Sequence, residues 1–211
     1  MKVPVGLDVG VCSHTGLKRG GNEDDYLLAM SPRDQAALLV AIADGMGGVA
    51  GGAEASRTAL RALGAQLLDG SKQPDAHQRM LDGFQSANAR VLESADAVHA
   101  LQDMGTTLTA LWLDASGAVV GHIGDSRLYL VRDDGCQALT VDHSVNQGES
   151  LLTRCIGGGQ RDCVADSERF RVGSGDRYVL CTDGVWNVVE PEDFAKIVAT
   201  QKAQEAAEML V

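Results

Sequence analysis

Residues 38–48 read Leu-Leu-Val-Ala-Ile-Ala-Asp-Gly-Met-Gly-Gly. The run is aliphatic up to Ala43, with β-branched Val40 and Ile42, and it stops on an aspartate among glycines, which is the pattern of a buried strand ending in a tight turn. A different texture follows. Glu54 to Leu68 places Ala55, Ala59, Leu60, Leu63 and Leu67 on one helical face, and Gln78 to Ala95 does the same with Leu81, Phe84, Val91, Leu92 and Ala95, so a helix pair is expected. Further short β-rich runs lie at 26–30, 106–113, 118–123, 128–131 and 177–181, with turn signals such as Asp134-Gly135 between them. A last helix is expected after Glu190-Pro191, with Phe194, Ile197 and Val198 facing inward. Strands grouped around inserted helices, without strand–helix alternation, indicate an α+β layered fold with antiparallel strands.

The 211 residues suit one domain. Composition is that of an ordinary globular protein, 45% hydrophobic and 22% charged, and excludes a disordered or collagen-like chain. The longest apolar run, Ala36 to Ala43, is far shorter than the ~20 residues of a membrane span. The first residues show no basic segment followed by an apolar one, so no secretory signal is read. Eighteen Lys and Arg against 29 Asp and Glu give a net charge of −11, which argues against nucleic acid or an anionic membrane as partner. Cys12, Cys136, Cys155, Cys163 and Cys181 are odd in number and form no C-x-x-C pair. They read as reduced, mostly buried cytoplasmic thiols; Cys181 reads as a plain core thiol, with mild reactivity beside an acidic site as its alternative.

The chemistry is concentrated in acids next to glycines: Asn22-Glu23-Asp24-Asp25, Asp44-Gly45-Met46-Gly47-Gly48, Gly124-Asp125-Ser126-Arg127 and Thr182-Asp183-Gly184. Three of these are apolar strands that end in Asp beside Gly. A short, stiff carboxylate at a strand end, with glycine letting backbone carbonyls approach, suits a hard cation such as Mg²⁺ or Mn²⁺. Without His–Cys spacing, zinc is disfavoured. Any one Asp-Gly alone is as readily a turn.

Taken in order, Ser13-His14-x-Gly16-x-x-Arg19-x-x-Asn22-Glu23-Asp24, Asp44-Gly45-Met46-Gly47-Gly48 with Gly52-x-Glu54-Ala55-Ser56, Met104-Gly105-Thr106-Thr107-Leu108, Gly124-Asp125-Ser126-Arg127, Leu139-Thr140-x-Asp142-His143-Ser144, Leu152-Thr153-Arg154 and Thr182-Asp183-Gly184 resemble the metal-dependent type 2C serine/threonine protein phosphatases. The resemblance runs from about Cys12 to Val189 and favours the bacterial branch, which has Met after the first Asp-Gly.

The resemblance implies a two-sheet antiparallel β-sandwich flanked by helix pairs, in α-β-β-α layers, with a binuclear Mn²⁺ or Mg²⁺ centre. Asp44 is implied to bridge the ions, the Gly45 carbonyl to bind one and Asp183 the other. Glu23 and Asp24 match an acidic pair at the ions, and Asp125 an acid of a weaker third site. Arg19 matches the arginine that holds the substrate phosphate, so the implied catalytic set is Asp44, Asp183 and Arg19. The physics is consistent: carboxylates repel a phosphomonoester dianion unless divalent ions reverse the local sign and a guanidinium offers a fork. Two ions about 3.5–4 Å apart also activate a bridging water as nucleophile at neutral pH.

His143 reads as a structural residue that positions a loop; His14 and His122 read as packing or hydrogen-bonding residues. Thr106 and Thr107 read as strand residues with hydroxyls bonding near the metal loop, Met104 and Trp112 as core, and Trp186 as an anchor after Asp183. Only Val145 to Leu151 separate the Asp-His-Ser and Leu-Thr-Arg motifs, so the family's helical flap is nearly absent. The segment Glu190 to Val211 reads as one helix, and an Asp-Asn motif and last strand that the resemblance places after it are not found. The 211 residues are therefore read as a single catalytic domain lacking that end.

The activity implied is cytoplasmic hydrolysis of phosphoserine and phosphothreonine proteins, opposing a cognate Ser/Thr kinase. The alternative is a catalytically weak, partner-binding domain of the same fold. A calcium module is disfavoured, because no D-x-[DN]-x-[DN]-G loop occurs.

Overall fold

The computed structural model describes residues 6–17, 20–32, 34, 37–69, 75–98, 101–132, 135–145 and 151–211. Arg19, Asp134 and the centre of the short segment between Val145 and Leu151 lie outside the described residues.

The chain forms β1 (Asp24–Met30), β2 (Leu38–Met46), α1 (Gly48–Leu68), α2 (Ala76–Ala97), β3 (Gly105–Thr106), β4 (Leu108–Asp114), β5 (Gly117–Ile123), β6 (Arg127–Arg132), β7 (Gly135–Ala138), β8 (Ile156–Gly157), β9 (Asp166–Phe170), β10 (Arg177–Cys181), α3 (Asp183–Trp186), α4 (Pro191–Thr200) and α5 (Ala203–Leu210). Every pairing among them is antiparallel. The larger sheet runs β8-β3-β2-β4-β5-β9 with β1 on the other edge of β2, and the smaller runs β10-β6-β7.

Three apolar clusters fix the layering. Leu39, Ala41 and Ala43 of β2 pack with Ala55, Ala59 and Leu63 of α1 and with Met80, Phe84 and Val91 of α2. Between the sheets, Leu111 and Val120 meet Leu128, Tyr178 and Leu180. Val131 and Cys181 of the smaller sheet pack under Phe194, Val198 and Leu210 of α4 and α5. The result is four layers, α-β-β-α, as the resemblance implied.

Small residues let α1 lie on β2. A Cβ at Gly52 would stand 2.8 Å from Glu23 Oε1 and 2.9 Å from the Gly45 carbonyl, and one at Gly45 would overlap the Gly52 carbonyl. At the β2–α1 corner Gly47 has φ +109, a conformation open to glycine without strain.

Two expectations about the elements are corrected. The C-terminal helix is two helices, because Gln201 and Lys202 are extended. Arg177 Nη1 donates to the carbonyls of Val198 and Gln201, and the Asp8 carboxylate accepts from Ala203 N–H at 2.9 Å, so side chains satisfy both helix ends at the break. The run 106–113 is interrupted at Thr107. Its register is unbroken, since Ile42 pairs with Thr109 and Gly45 with Thr106, but the Thr107 hydroxyl replaces a carbonyl as acceptor of Asp44 N–H, at 2.9 Å. Strands β7, β8 and β9 were not anticipated.

Candidate active site

The β1–β2 ladder sets Asp24 opposite Asp44. Thr182 Oγ1 donates to Asp24 Oδ2 at 2.8 Å, tying the end of β10 to the start of β1, and Asp183 follows as the first residue of α3. Asp125 lies buried in the turn from β5 to β6. Four carboxylates from four parts of the chain thus share one region. Burial, then the charges of Asp24 and Asp183 and finally that of Asp125, pushes the Asp44 carboxyl up to about 9. Asp125 is raised to about 6, by burial and then by Asp183. These are the signatures of buried acids crowded together.

The backbone around Asp44 is held by hydroxyls. Its N–H donates to Thr107 Oγ1, while its carbonyl accepts from Thr107 N–H and from Thr106 Oγ1, both at 2.9 Å. Thr107 Oγ1 also shares a 2.7 Å hydrogen bond with Ser126 Oγ, next to Asp125. Thr106 and Thr107 therefore orient the Asp44 backbone.

His143 fixes the other acid. Its N–H donates to the Gly124 carbonyl at 2.7 Å, its Nδ1 lies 3.2 Å from Gly124 N–H, and its Nε2 lies 3.0 Å from Asp166 Oδ2. Nδ1 accepts and Nε2 donates, so the ring is neutral and both nitrogens are engaged. Burial also lowers its pKa. This is a positioning role, as its sequence context suggested. His122, with rings 4.8 Å from His143, bonds Thr109 Oγ1 at 2.9 Å and the Val141 carbonyl at 3.1 Å, and burial drives it down to about 4. His14 Nδ1 accepts from Gly16 N–H at 2.9 Å.

Of the remaining expected site residues, Glu23 is buried with its carboxylate against Gly52, and Gly45 N–H donates to the Glu23 carbonyl at 3.2 Å. Arg19 lies outside the described residues. Cys181 is a core group, in line with its reading as a core thiol: burial pushes its thiol up to about 12, which argues against the alternative of mild reactivity. Met104 and Trp112 are core residues, as expected. The ends of the short segment are pinned, with Val145 N–H donating to the Leu151 carbonyl at 3.1 Å and Ser144 bridged to Leu152.

These residues fit hard divalent cations. The donors are carboxylate and backbone oxygens, Cys181 is withdrawn as a protonated thiol, and the crowding of acids that contributes, after burial, to the raised Asp44 carboxyl is what a cation there would relieve. Among the described residues no three acids, histidines or cysteines form a closed cage. The carboxylates are near enough to repel one another.

A family profile described as Protein phosphatase 2C matches residues 13–209. The chain belongs to the protein phosphatase 2C family. It is 30% identical over 227 residues to the serine/threonine protein phosphatase PstP of Mycobacterium tuberculosis, covering all of this chain and 42% of that protein. It is 31% identical over 219 residues to the protein phosphatase PhpP of Streptococcus pneumoniae, covering 92% of this chain and 85% of that one. The chain thus spans less than half the length of PstP. A crystal structure of the PstP catalytic domain in complex with two manganese ions superposes with a TM-score of 0.77 at 30% identity, over 92% of this chain and 85% of that chain.

Within this phosphatase 2C fold, sequence reading missed roles for Arg127, Asp142 and Thr182. Each stands in a recognised motif, but its partner lies far along the chain, and no local pattern announces such a contact.

Proposed function

We propose that this chain is a protein phosphatase acting on phosphoserine and phosphothreonine, with two Mn²⁺ or Mg²⁺ ions as cofactors. The observation that carries the reading is the gathering of Asp24, Asp44, Asp125 and Asp183, with Asp44 raised by burial and then by the other three, in a chain of this family. Asp44, Asp183 and the Gly45 carbonyl are the proposed ligands, with Glu23 and Asp24 beside them and Asp125 at a weaker third ion. When bound, the ions supply the positive charge that admits a phosphate dianion and the acidity that turns water into a nucleophile.

The chain's own residues do the rest. Thr106 and Thr107 fix the Asp44 backbone, and His143 fixes Gly124 ahead of Asp125. Neither His143 nor His122 has a ring nitrogen left to deliver a proton to the leaving group. Arg19 is the proposed fork for the substrate phosphate, on family resemblance alone.

Among the described residues no helix is long and apolar enough to cross a membrane. A cytoplasmic setting and a cognate Ser/Thr kinase belong to the same proposal; they are supported by five unpaired cysteines and by the naming of relatives as serine/threonine phosphatases.

Phosphate release from a phosphothreonine peptide, with Mn²⁺ and with an added chelator, tests the reading. Turnover abolished by the chelator is expected. Full turnover after exhaustive chelation overturns the metal-dependent mechanism, and Mn²⁺ binding without turnover selects the catalytically weak alternative.

A further inference from the structure

Arg127, at the start of β6, makes four contacts that join three separate motifs. Its Nε and Nη2 donate to the two carboxylate oxygens of Asp142 at 2.9 and 2.7 Å, and its Nη1 donates to Tyr129 Oη at 3.0 Å. Its guanidinium carbon lies 3.6 Å from the ring centroid of Trp186. The pair is well sheltered, with side-chain exposures of 21% for Arg127 and 6% for Asp142.

The ring under the guanidinium belongs to α3, the single turn that begins at Asp183. Asn187 N–H bonds the Asp183 carbonyl at 3.0 Å and Val185 N–H the Thr182 carbonyl at 3.1 Å. One turn has no length to stabilise itself, and its four residues include none that is fully buried. Its orientation therefore depends on what grips it from outside, and the stacked, bidentate arginine is a rigid grip of that kind. The same arginine is two residues from Asp125, and Asp142 precedes His143, which holds Gly124.

We propose that Arg127 and Asp142 form a positioning clamp that acts through Trp186 to set Asp183, and so tunes how tightly the acidic site binds divalent metal. The proposal deepens the metal-dependent reading above and rests on it for the consequence, though not for the clamp itself.

Two readouts on the full chain test it. In Arg127→Met, amide exchange in the segment 183–189 of the metal-free protein is expected to quicken about tenfold while core strands stay protected. By calorimetric titration the Mn²⁺ dissociation constant is expected to rise about tenfold, the usual effect of losing an outer-shell partner. Trp186→Phe, which keeps a ring under the guanidinium, should restore affinity relative to Trp186→Ala. Arg132→Met breaks another bidentate pair, with Asp176, at the other end of β6 and should leave Mn²⁺ affinity unchanged. Should Arg127→Met fail to fold, Arg127→Lys carries the same expectations, since it keeps the charge but neither the fork nor the flat cation. Wild-type exchange in 183–189, or faster exchange with unchanged Mn²⁺ affinity, overturns the proposal. A wild-type chain that binds no Mn²⁺ overturns the metal reading instead, and the clamp is then decided by exchange alone.

Discussion

Asp24 and Asp44 are direct partners across the antiparallel β1–β2 ladder, a placement in which like charges destabilise a sheet. The chain keeps the pair at the point where Thr182 and Asp183 arrive from the other sheet. Burial and then the neighbouring charges raise the Asp44 carboxyl well above the usual carboxylate range.

Asp44→Asn removes a proposed metal ligand and relieves the crowding of carboxylates in the metal-free fold. Its thermal midpoint in chelator is expected to equal or exceed that of the wild type, while Mn²⁺ binding by calorimetry and phosphopeptide turnover both disappear. Unaltered Mn²⁺ binding defeats the ligand assignment.

Thr107→Val is nearly isosteric but leaves Asp44 N–H without its acceptor and Ser126 without its partner. An unsatisfied buried group costs about 1–3 kcal/mol, to be read from urea midpoints, and kcat should fall further than stability alone explains. Thr107→Ser should recover most of both. A Val variant as active as wild type shows that the hydroxyl does not orient Asp44.

Gly52→Ala places a methyl against Glu23 Oε1 and the Gly45 carbonyl. Overpacking of this kind costs about 1–3 kcal/mol, and here the displaced groups include the loop that carries Asp44. Loss of both stability and Mn²⁺ affinity is expected. Stability lost with affinity intact would mean that α1 yields and β2 does not.

His122 gives the pH dependence. Burial lowers its folded pKa from 6.5 to about 4, so below pH 6.5 the unfolded chain binds a proton that the folded chain refuses. The resulting penalty is absent above pH 6.5, grows as pH falls and is complete below pH 4, reaching about 3 kcal/mol at 1.36 per unit. Urea midpoints between pH 7 and 4 should fall more steeply for wild type than for His122→Gln; parallel slopes contradict the assignment.

How much was legible follows from how local each signal is. Strand β2, the helix pair and the acidic turns were readable because aliphatic runs, helical periodicity and Asp-Gly endings are encoded in neighbouring residues. Strand β9 was not: Asp-Ser-Glu-Arg-Phe is a charged edge strand whose partner, β5, supplies the reason for its conformation. The helix break at Gln201 is set by Arg177 and Asp8 from elsewhere in the chain. The Arg127 clamp spans residues 127 to 186, beyond the reach of any local pattern. The motif order carried the site because a family resemblance stores long-range contacts that a single sequence does not display.

The site draws its carboxylates from two separate ladders. Asp24 and Asp44 ride on the larger sheet, while Asp183 continues from β10 of the smaller one. What fixes their spacing is therefore the greasy seam of Leu111, Val120, Leu128 and Leu180, together with the Thr182 to Asp24 hydrogen bond that crosses between the sheets at the site. The metal grip proposed above would then depend on the filling between the layers as well as on the acids: a bulkier or smaller side chain in that seam would alter it from a distance, by moving one half of the proposed cradle relative to the other.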